Sequence, residues 1–217
     1  MNYNKIVRAK FIDRPNRFIA HVEIDGRIET VHVKNTGRCK ELLIKGVTVI
    51  LEESSNPLRK TKYDLVAVYK EGFGLINIDS QAPNKVAKEW LESKNYTYIK
   101  PEYTYGNSRI DFYMENNSEK YLMEVKGCTL EKNGTGYFPD APTERGVKHI
   151  YELINAKKEG YNSILAFVIQ MEGINEVLPN VETHPEFGIA MEDAKKAGVD
   201  IVFIKCRIYE DGIEYLH

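Results

Sequence analysis

The hydrophobic pattern changes character once, near residue 80, and that change constrains the fold more than any other feature. Before it, apolar residues come in short, β-rich runs separated by turn residues. Lys5 to Phe11 and Phe18 to Ile24 flank Asp13-Arg14-Pro15-Asn16, and Asp25-Gly26 leads into Ile28 to Val33. Val47 to Leu51 follows Lys45-Gly46, and Leu65 to Tyr69 and Leu75 to Ile78 flank Glu71-Gly72-Phe73-Gly74. Only Arg38 to Ile44 reads as briefly helical. Five or six short strands with one helical insertion predict a small barrel, OB-like in the simplest case.

After the change, helical and strand periods alternate. Pro83 to Lys94 places Val86, Ala87, Trp90 and Leu91 on one helical face. Tyr98 to Tyr105, Arg109 to Met114 and Lys120 to Lys126 read as strands. Thr143 to Lys158 is the clearest helix, with Val147, Ile150, Tyr151 and Ile154 at helical spacing and Gly160 as its stop. Ser163 to Gln170 and Val199 to Ile208 read as buried strands, with a helix over Phe187 to Ala197 between them. The order αβββαβαβ defines a mixed α/β domain. The boundary falls at Ser80-Gln81-Ala82-Pro83, dividing the chain into residues 1–80 and 81–217.

Length suits one large domain or two small ones, and composition suits a folded chain. Of 217 residues, 42% are hydrophobic and 29% charged, which supplies a core and excludes intrinsic disorder. The longest apolar run, Ile164 to Ile169, and the stretch Val199 to Ile204, broken by Asp200, fall far short of the ~20 residues of a membrane-spanning helix. Met1-Asn2-Tyr3-Asn4-Lys5 lacks the apolar stretch of a secretion signal. Cys39, Cys128 and Cys206 are odd in number and far apart, fitting neither a disulfide framework nor a CxxC metal site, so a reduced, cytoplasmic protein is expected. A net charge of −2 excludes a generally basic nucleic-acid binder. Residues 1–80 nevertheless carry 14 Lys and Arg against 10 Asp and Glu, and the remainder 16 against 22. That asymmetry hints at a polyanion-facing first part, or at two differently charged solvated surfaces.

The chemistry concentrates in one hairpin. A two-residue Asn117-Ser118 loop pairs Asn116 with Glu119 and, counting back, Asp111 with Glu124 and Arg109 with Lys126. These four residues then share one face, while Ile110, Phe112, Met114, Tyr121, Met123 and Val125 share the other. Directly opposed carboxylates repel unless a cation lies between them. Mg²⁺ or Mn²⁺ would suit, because such ions bind through one or two carboxylates, waters and a substrate phosphate. Lys126 would then orient an attacking water or stabilise transition-state charge. The alternative is a solvated polar face on which Arg109 and Lys126 neutralise the acids.

Ser108-Arg109-Ile110-Asp111 followed by Glu124-Val125-Lys126 resembles the PD-(D/E)XK nuclease signature. Gly136-Tyr137-Phe138-Pro139-Asp140-Ala141, Thr143 and Arg145-Gly146-Val147-Lys148-His149 resemble the sugar fermentation stimulation protein A family. So do Asn35-Thr36-Gly37, Leu42-Leu43, Lys45-Gly46, Arg59-Lys60-Thr61-Lys62-Tyr63 and Pro83-Asn84. The resemblance implies an N-terminal OB-like domain followed by a PD-(D/E)XK-like domain. It implies Asp111 and Glu124 as metal ligands and Lys126 as the catalytic lysine, with Glu89 matching the extra acidic residue of many such nucleases. Glu102 is a further candidate for the acidic cluster. The proline-aspartate half of the signature is missing, because Asp111 follows Ile110.

Arg145 and His149 are i, i+4 neighbours on the long helix, with Lys148 beside them, and in a nuclease would reach the scissile phosphate. Tyr137 and Phe138 follow Gly134-Thr135-Gly136, in a loop able to lie over a substrate; Phe138 could equally staple the helix start. In the barrel, Lys34, Arg38, Arg59, Lys60, Lys62 and Tyr63 are the candidate nucleic-acid contacts, since OB folds combine a positive groove with aromatic platforms. The expected protein is a Mg²⁺- or Mn²⁺-dependent nuclease acting on DNA or RNA. The alternatives are a non-catalytic DNA-binding regulator of sugar-utilisation genes with a retained nuclease fold, and a metabolite-binding enzyme.

Overall fold

Asp25 and Gly26 both adopt positive φ, 50° and 76°, as a two-residue hairpin turn demands. They join β2 (Ile19–Ile24) to β3 (Arg27–Val33), after β1 (Ile6–Asn16) has paired with β2. The computed structural model describes Met1–His217. β1 also pairs antiparallel with β4 (Thr48–Glu53), and β4 with β5 (Tyr63–Lys70). A short parallel pairing of His32 and Val33 with Asp64 and Leu65 closes β3 onto β5, making a five-stranded barrel. β6 (Gly74–Asn77) hangs on β5. The interior is filled by Ala20, Val22, Val31, Val49, Leu51, Leu65 and Val68, all fully buried.

The segment read as helical, Arg38 to Ile44, forms turns instead. Cys39 takes φ 45°, which a helix cannot accommodate. Arg14 holds the entry to this segment: Nη1 donates to the Gly37 and Arg38 carbonyls and Nη2 to those of Asn35 and Arg17, while within it the Cys39 carbonyl accepts from Leu42 and Leu43 in a single turn.

The second unit starts with α1 (Ala82–Glu92), then β7 (Tyr98–Tyr105), β8 (Ser108–Asn116) and β9 (Glu119–Cys128). β10 (Leu130–Lys132) and β11 (Thr135–Phe138) make a small hairpin before α2 (Glu144–Lys158). β12 (Asn162–Ile169), β13 (Val177–Pro179), α3 (Pro185–Lys196), β14 (Asp200–Tyr209) and β15 (Gly212–Tyr215) follow. The main sheet runs β15-β14-β12-β9-β8-β7, with β12 parallel to both β9 and β14. β12 is apolar and buried along most of its length, as a central parallel strand between helical layers should be.

Both sheet faces are covered. α1 packs Val86, Ala87 and Leu91 against Phe112, Met114, Met123 and Val125. On the opposite face, Ile150 and Leu153 of α2 and Phe187 and Ala190 of α3 pack with Tyr113, Leu122, Leu165 and Phe167. The hairpin's second face is therefore an interior, which removes the reading of a solvated polar face. On α2 the buried stripe is rotated from the expected one. Leu153 is fully buried, whereas Tyr151 is 40% exposed and donates to Asp193 at 3.1 Å. The rotation turns His149 inward.

The two units share a polar seam. Tyr3 donates to Asp79 at 3.3 Å, Asn77 Nδ2 to Tyr3 at 2.8 Å, and Gln170 Nε2 to Asn77 at 2.9 Å. Lys70 reaches from the barrel to the Glu131 carbonyl at 2.9 Å and bonds the Glu131 carboxylate.

Candidate active site

The β8–β9 ladder runs in the register counted from the turn, Asn116 against Glu119 through Phe112 against Met123. At the next step it opens into a fork. Asp111 Oδ2 accepts the Val125 backbone N–H at 2.8 Å, so a side chain takes the place of a ladder partner. β9 carries on alone with β12, pairing Glu124 with Leu165 and Lys126 with Phe167. The fork buries Glu124, 2% exposed, and leaves Asp111 half-buried.

Asn84 of α1 donates to Asp111 Oδ1 at 2.8 Å. On the other side, Glu124 Oε1 accepts from Lys126 Nζ at 2.6 Å and from His149 Nδ1 of α2. Arg145 Nε donates to His149 Nε2 at 3.3 Å, which leaves the ring proton on Nδ1, aimed at Glu124. Thr143 caps this helix by accepting the Gly146 N–H at 3.1 Å. Burial, and then the charge of Glu124, raise the Asp111 carboxyl above the usual range. Burial acts on Glu124 in the same sense, but the His149 bond and the Lys126 charge outweigh it and hold Glu124 low. The two acids thus titrate in opposite directions, a pattern common where chemistry is done.

The second oxygen of Glu124, Oε2, is buried without a hydrogen-bond partner. A buried carboxylate oxygen with nothing to accept from is costly unless a cation completes it. Two carboxylates meet at the fork, but no group of three or more His, Cys, Asp or Glu side chains is arranged to hold a metal. Waters and substrate oxygens would supply the remaining positions, as they commonly do around Mg²⁺.

Other expected residues lie elsewhere. Glu89 points to the chain start, where its Oε2 accepts from the Met1 ammonium at 3.1 Å. Arg109 is exposed and paired with Glu102, so neither joins the fork. Lys148 pairs with Glu152 at 3.6 Å. Phe138 is half-buried and packs on the core, its ring 5.0 Å from Phe187 and 5.7 Å from Phe167. Tyr137 is half-buried under Lys132.

In the barrel, most of the expected cations are neutralised by carboxylates. Lys34 lies 3.1 Å from Asp79 and 3.5 Å from Glu52, inside the seam. Lys62 stacks on buried Tyr63 and faces Glu53 at 3.7 Å. Arg59 forms a two-pronged pair with Asp64, at 2.6 and 2.7 Å. Lys60 and Arg38 are exposed and pair with no carboxylate. Burial raises Asp64, but Arg59 and His32 overcome this and keep it below the usual range. Asp64 therefore contributes stability above the ordinary aspartate value, lost as pH falls through its depressed one. Arg59→Met is expected to cost about 2–3 kcal/mol near pH 7 by stranding Asp64, and the deficit should shrink in acid. Urea melts at the two pH values check this; an unchanged midpoint near pH 7 would return Arg59 to the pool of free cations.

A five-stranded OB-like barrel joined to a nuclease-like mixed α/β domain is the class that this topology defines. Residues 12–78 match the family model of the SfsA N-terminal OB domain, and residues 81–212 that of the sugar fermentation stimulation protein RE domain. The chain belongs to the sugar fermentation stimulation protein family. It is 56% identical to a homologue from Clostridium beijerinckii over 98% of this chain and 96% of that one. A homologue from Desulfitobacterium hafniense is 54% identical over 99% and 95%. Among solved structures, Pyrococcus furiosus SfsA in complex with Ca²⁺ superimposes with a TM-score of 0.88 at 28% identity, over 99% of this chain and 95% of that one. No helix of the chain is long and apolar enough to cross a membrane.

Proposed function

We propose that the chain is a divalent-metal-dependent nuclease that hydrolyses phosphodiester bonds, and that it works in the reducing cytoplasm. The observation that carries this reading is the orphaned, buried Oε2 of Glu124 beside Asp111 at the sheet fork. The P. furiosus relative solved with Ca²⁺ supports a divalent cation in this fold, and Mg²⁺ or Mn²⁺ is the proposed working ion. Asp111 and Glu124 would hold the ion, which when bound supplies a polarised water and neutralises charge on a phosphate oxygen.

The chain's own residues do the rest. Asn84 and the Val125 N–H fix the Asp111 carboxylate, leaving it free lone pairs toward the fork. His149, backed by Arg145, fixes Glu124 through Nδ1. Lys126 keeps a positive charge at the fork and is placed to orient the attacking water or to meet negative charge in the transition state. Arg145 is solvent-exposed in the first turn of α2, where a substrate phosphate also meets the positive end of the helix dipole. The N-terminal barrel presents the nucleic acid to this fork.

A binding-only regulator is the second reading, favoured by the absence of a third protein ligand at the fork. A screen of single- and double-stranded DNA and RNA with Mg²⁺, Mn²⁺ and Ca²⁺ separates the two. Cleavage lost on adding a chelator supports the nuclease. Salt-sensitive binding with no cleavage under any metal supports the regulator.

A further inference from the structure

One hollow of the barrel gathers five cations that no carboxylate neutralises. Arg14, Arg17, Arg38, Lys40 and Lys45 all line a single cavity of 630 Å³ between the β1–β2 turn and the β3–β4 connection. None of the five pairs with a carboxylate. The one acid in the wall, Asp13, is taken by His21 at 2.8 Å. Arg14 spends its guanidinium on four neutral carbonyls, which builds the wall and leaves its charge uncompensated; its Nε is buried with no partner at all. Lys34, Arg59 and Lys62, by contrast, are tied to acids. Lys5, Lys10, Arg27 and Lys60 also lack a carboxylate partner but line no part of this cavity, which holds the other five together.

The cavity leads towards the fork. Thr36 and Gly37 line it and also line a second cleft of 310 Å³ between the two units. That cleft is walled on its far side by Gly127, which follows Lys126, and by Thr143, the cap of α2. The joint between the two hollows is held by the Arg38 backbone N–H, which donates to Asp140 Oδ2 at 3.1 Å. The second cleft lies at the lower end of the ~300–1,000 Å³ range of small-ligand pockets, a size that matches a single nucleotide unit.

We propose that the basic cavity is the phosphate-binding track of a single polynucleotide strand, which crosses Arg17, Arg38, Lys40 and Lys45 and turns past Thr36-Gly37 to enter the fork. Asp140 ends the basic surface, so the phosphate contacts lie on the barrel side of it. This rests on the proposed nuclease reading for where the strand goes, but not for whether it binds.

The test measures binding of labelled single-stranded DNA and RNA oligonucleotides of one sequence in the presence of a chelator, where nothing is cut. The variant Arg17→Ser/Arg38→Ser/Lys40→Ser/Lys45→Ser removes four exposed, unpaired charges while keeping Arg14, which holds the loop. Its melting temperature should match wild type. Each phosphate contact contributes about 0.7 to the slope of log affinity against log salt for single strands, so the slope should fall by about 3 and affinity at least tenfold. Lys60→Ser/Lys62→Ser serves as the control, with a loss of less than about threefold. An unchanged slope in the fourfold variant, or a larger loss in the control, overturns the track while leaving the nuclease reading intact. Wild type that binds neither oligonucleotide overturns both. Competition by inorganic phosphate as strong as by the oligonucleotide would make the cavity a site for a small anion and overturn the strand. A difference between the DNA and RNA arms in the wild type, lost in the fourfold variant, places sugar discrimination on the same track.

Discussion

Glu124→Gln is expected to lower the single-turnover cleavage rate by on the order of a hundred- to a thousandfold, the scale of losing one organised electrostatic element. Oligonucleotide affinity should change less than about threefold, because the phosphate contacts lie elsewhere. The amide keeps the shape of Glu124 but removes the charge that both Lys126 and His149 address. The substitution therefore also costs stability, about 1–3 kcal/mol, even though it relieves a like charge beside Asp111. Lys126→Met should lose comparable rate while keeping the carboxylate pair, since lysine does not ligate a metal at neutral pH. Rate measurements on both variants across a Mn²⁺ titration, with urea melts in parallel, check the pair. Wild-type cleavage by Glu124→Gln would remove the fork from the mechanism.

The second large effect is on thermal stability. A cation that binds the folded fork and not the unfolded chain stabilises by about 2.7 kcal/mol at a hundred times its dissociation constant. For a chain of this size that is a rise in melting temperature of roughly 5–10 °C. The rise should appear with Mn²⁺ in the wild type and vanish in Asp111→Asn. That variant folds without penalty at the fork: the introduced amide can accept the Val125 N–H through its oxygen and, with the Asn84 amide turned over, donate to the Asn84 oxygen. The chelated variant should melt no lower than chelated wild type, because a buried charge raised by burial and by Glu124 has been removed. Scanning calorimetry in the presence and absence of Mn²⁺ measures both. A rise that persists in Asp111→Asn would place the ion at another site.

Local rules reached far into this chain where local chemistry decides. The Asn117-Ser118 turn set the β8–β9 register down to the fork, and the alternation of polar and apolar residues put Asp111 and Glu124 on the face away from α1. What escaped was decided at long range. β10, β11, β13 and β15 span three or four residues each, too short for a period to show, and β11 pairs in parallel with β13 across an intervening helix. Arg38 to Ile44 has a helical pattern, yet Arg14, more than twenty positions upstream, takes the Arg38 carbonyl, and Cys39 adopts a positive φ. Neutralisation is equally invisible along the chain. Lys34 finds Asp79 and Arg8 finds Glu210 only after folding, so a cluster of cations in sequence does not mark the free charge. Asn84, which holds Asp111, stood in the family pattern as Pro83-Asn84, but no spacing rule linked it to a strand residue 27 positions away.

The seam between the two units has an evolutionary consequence. Its members, Tyr3, Asn77, Asp79 and Gln170, are buried and bond one another across the junction, with Lys34 completing Asp79 from the barrel side. Cutting the chain at Ser80 would bare this chemistry on both halves and also split an apolar cluster that runs through both units, from Ile76 and Ile78 to Ile169 and Met171. The barrel and the forked sheet are thus not interchangeable parts. A recombination event that grafted a foreign barrel onto this sheet would have to carry the matching partner for Gln170 with it, so the two halves are constrained to be inherited as one gene segment.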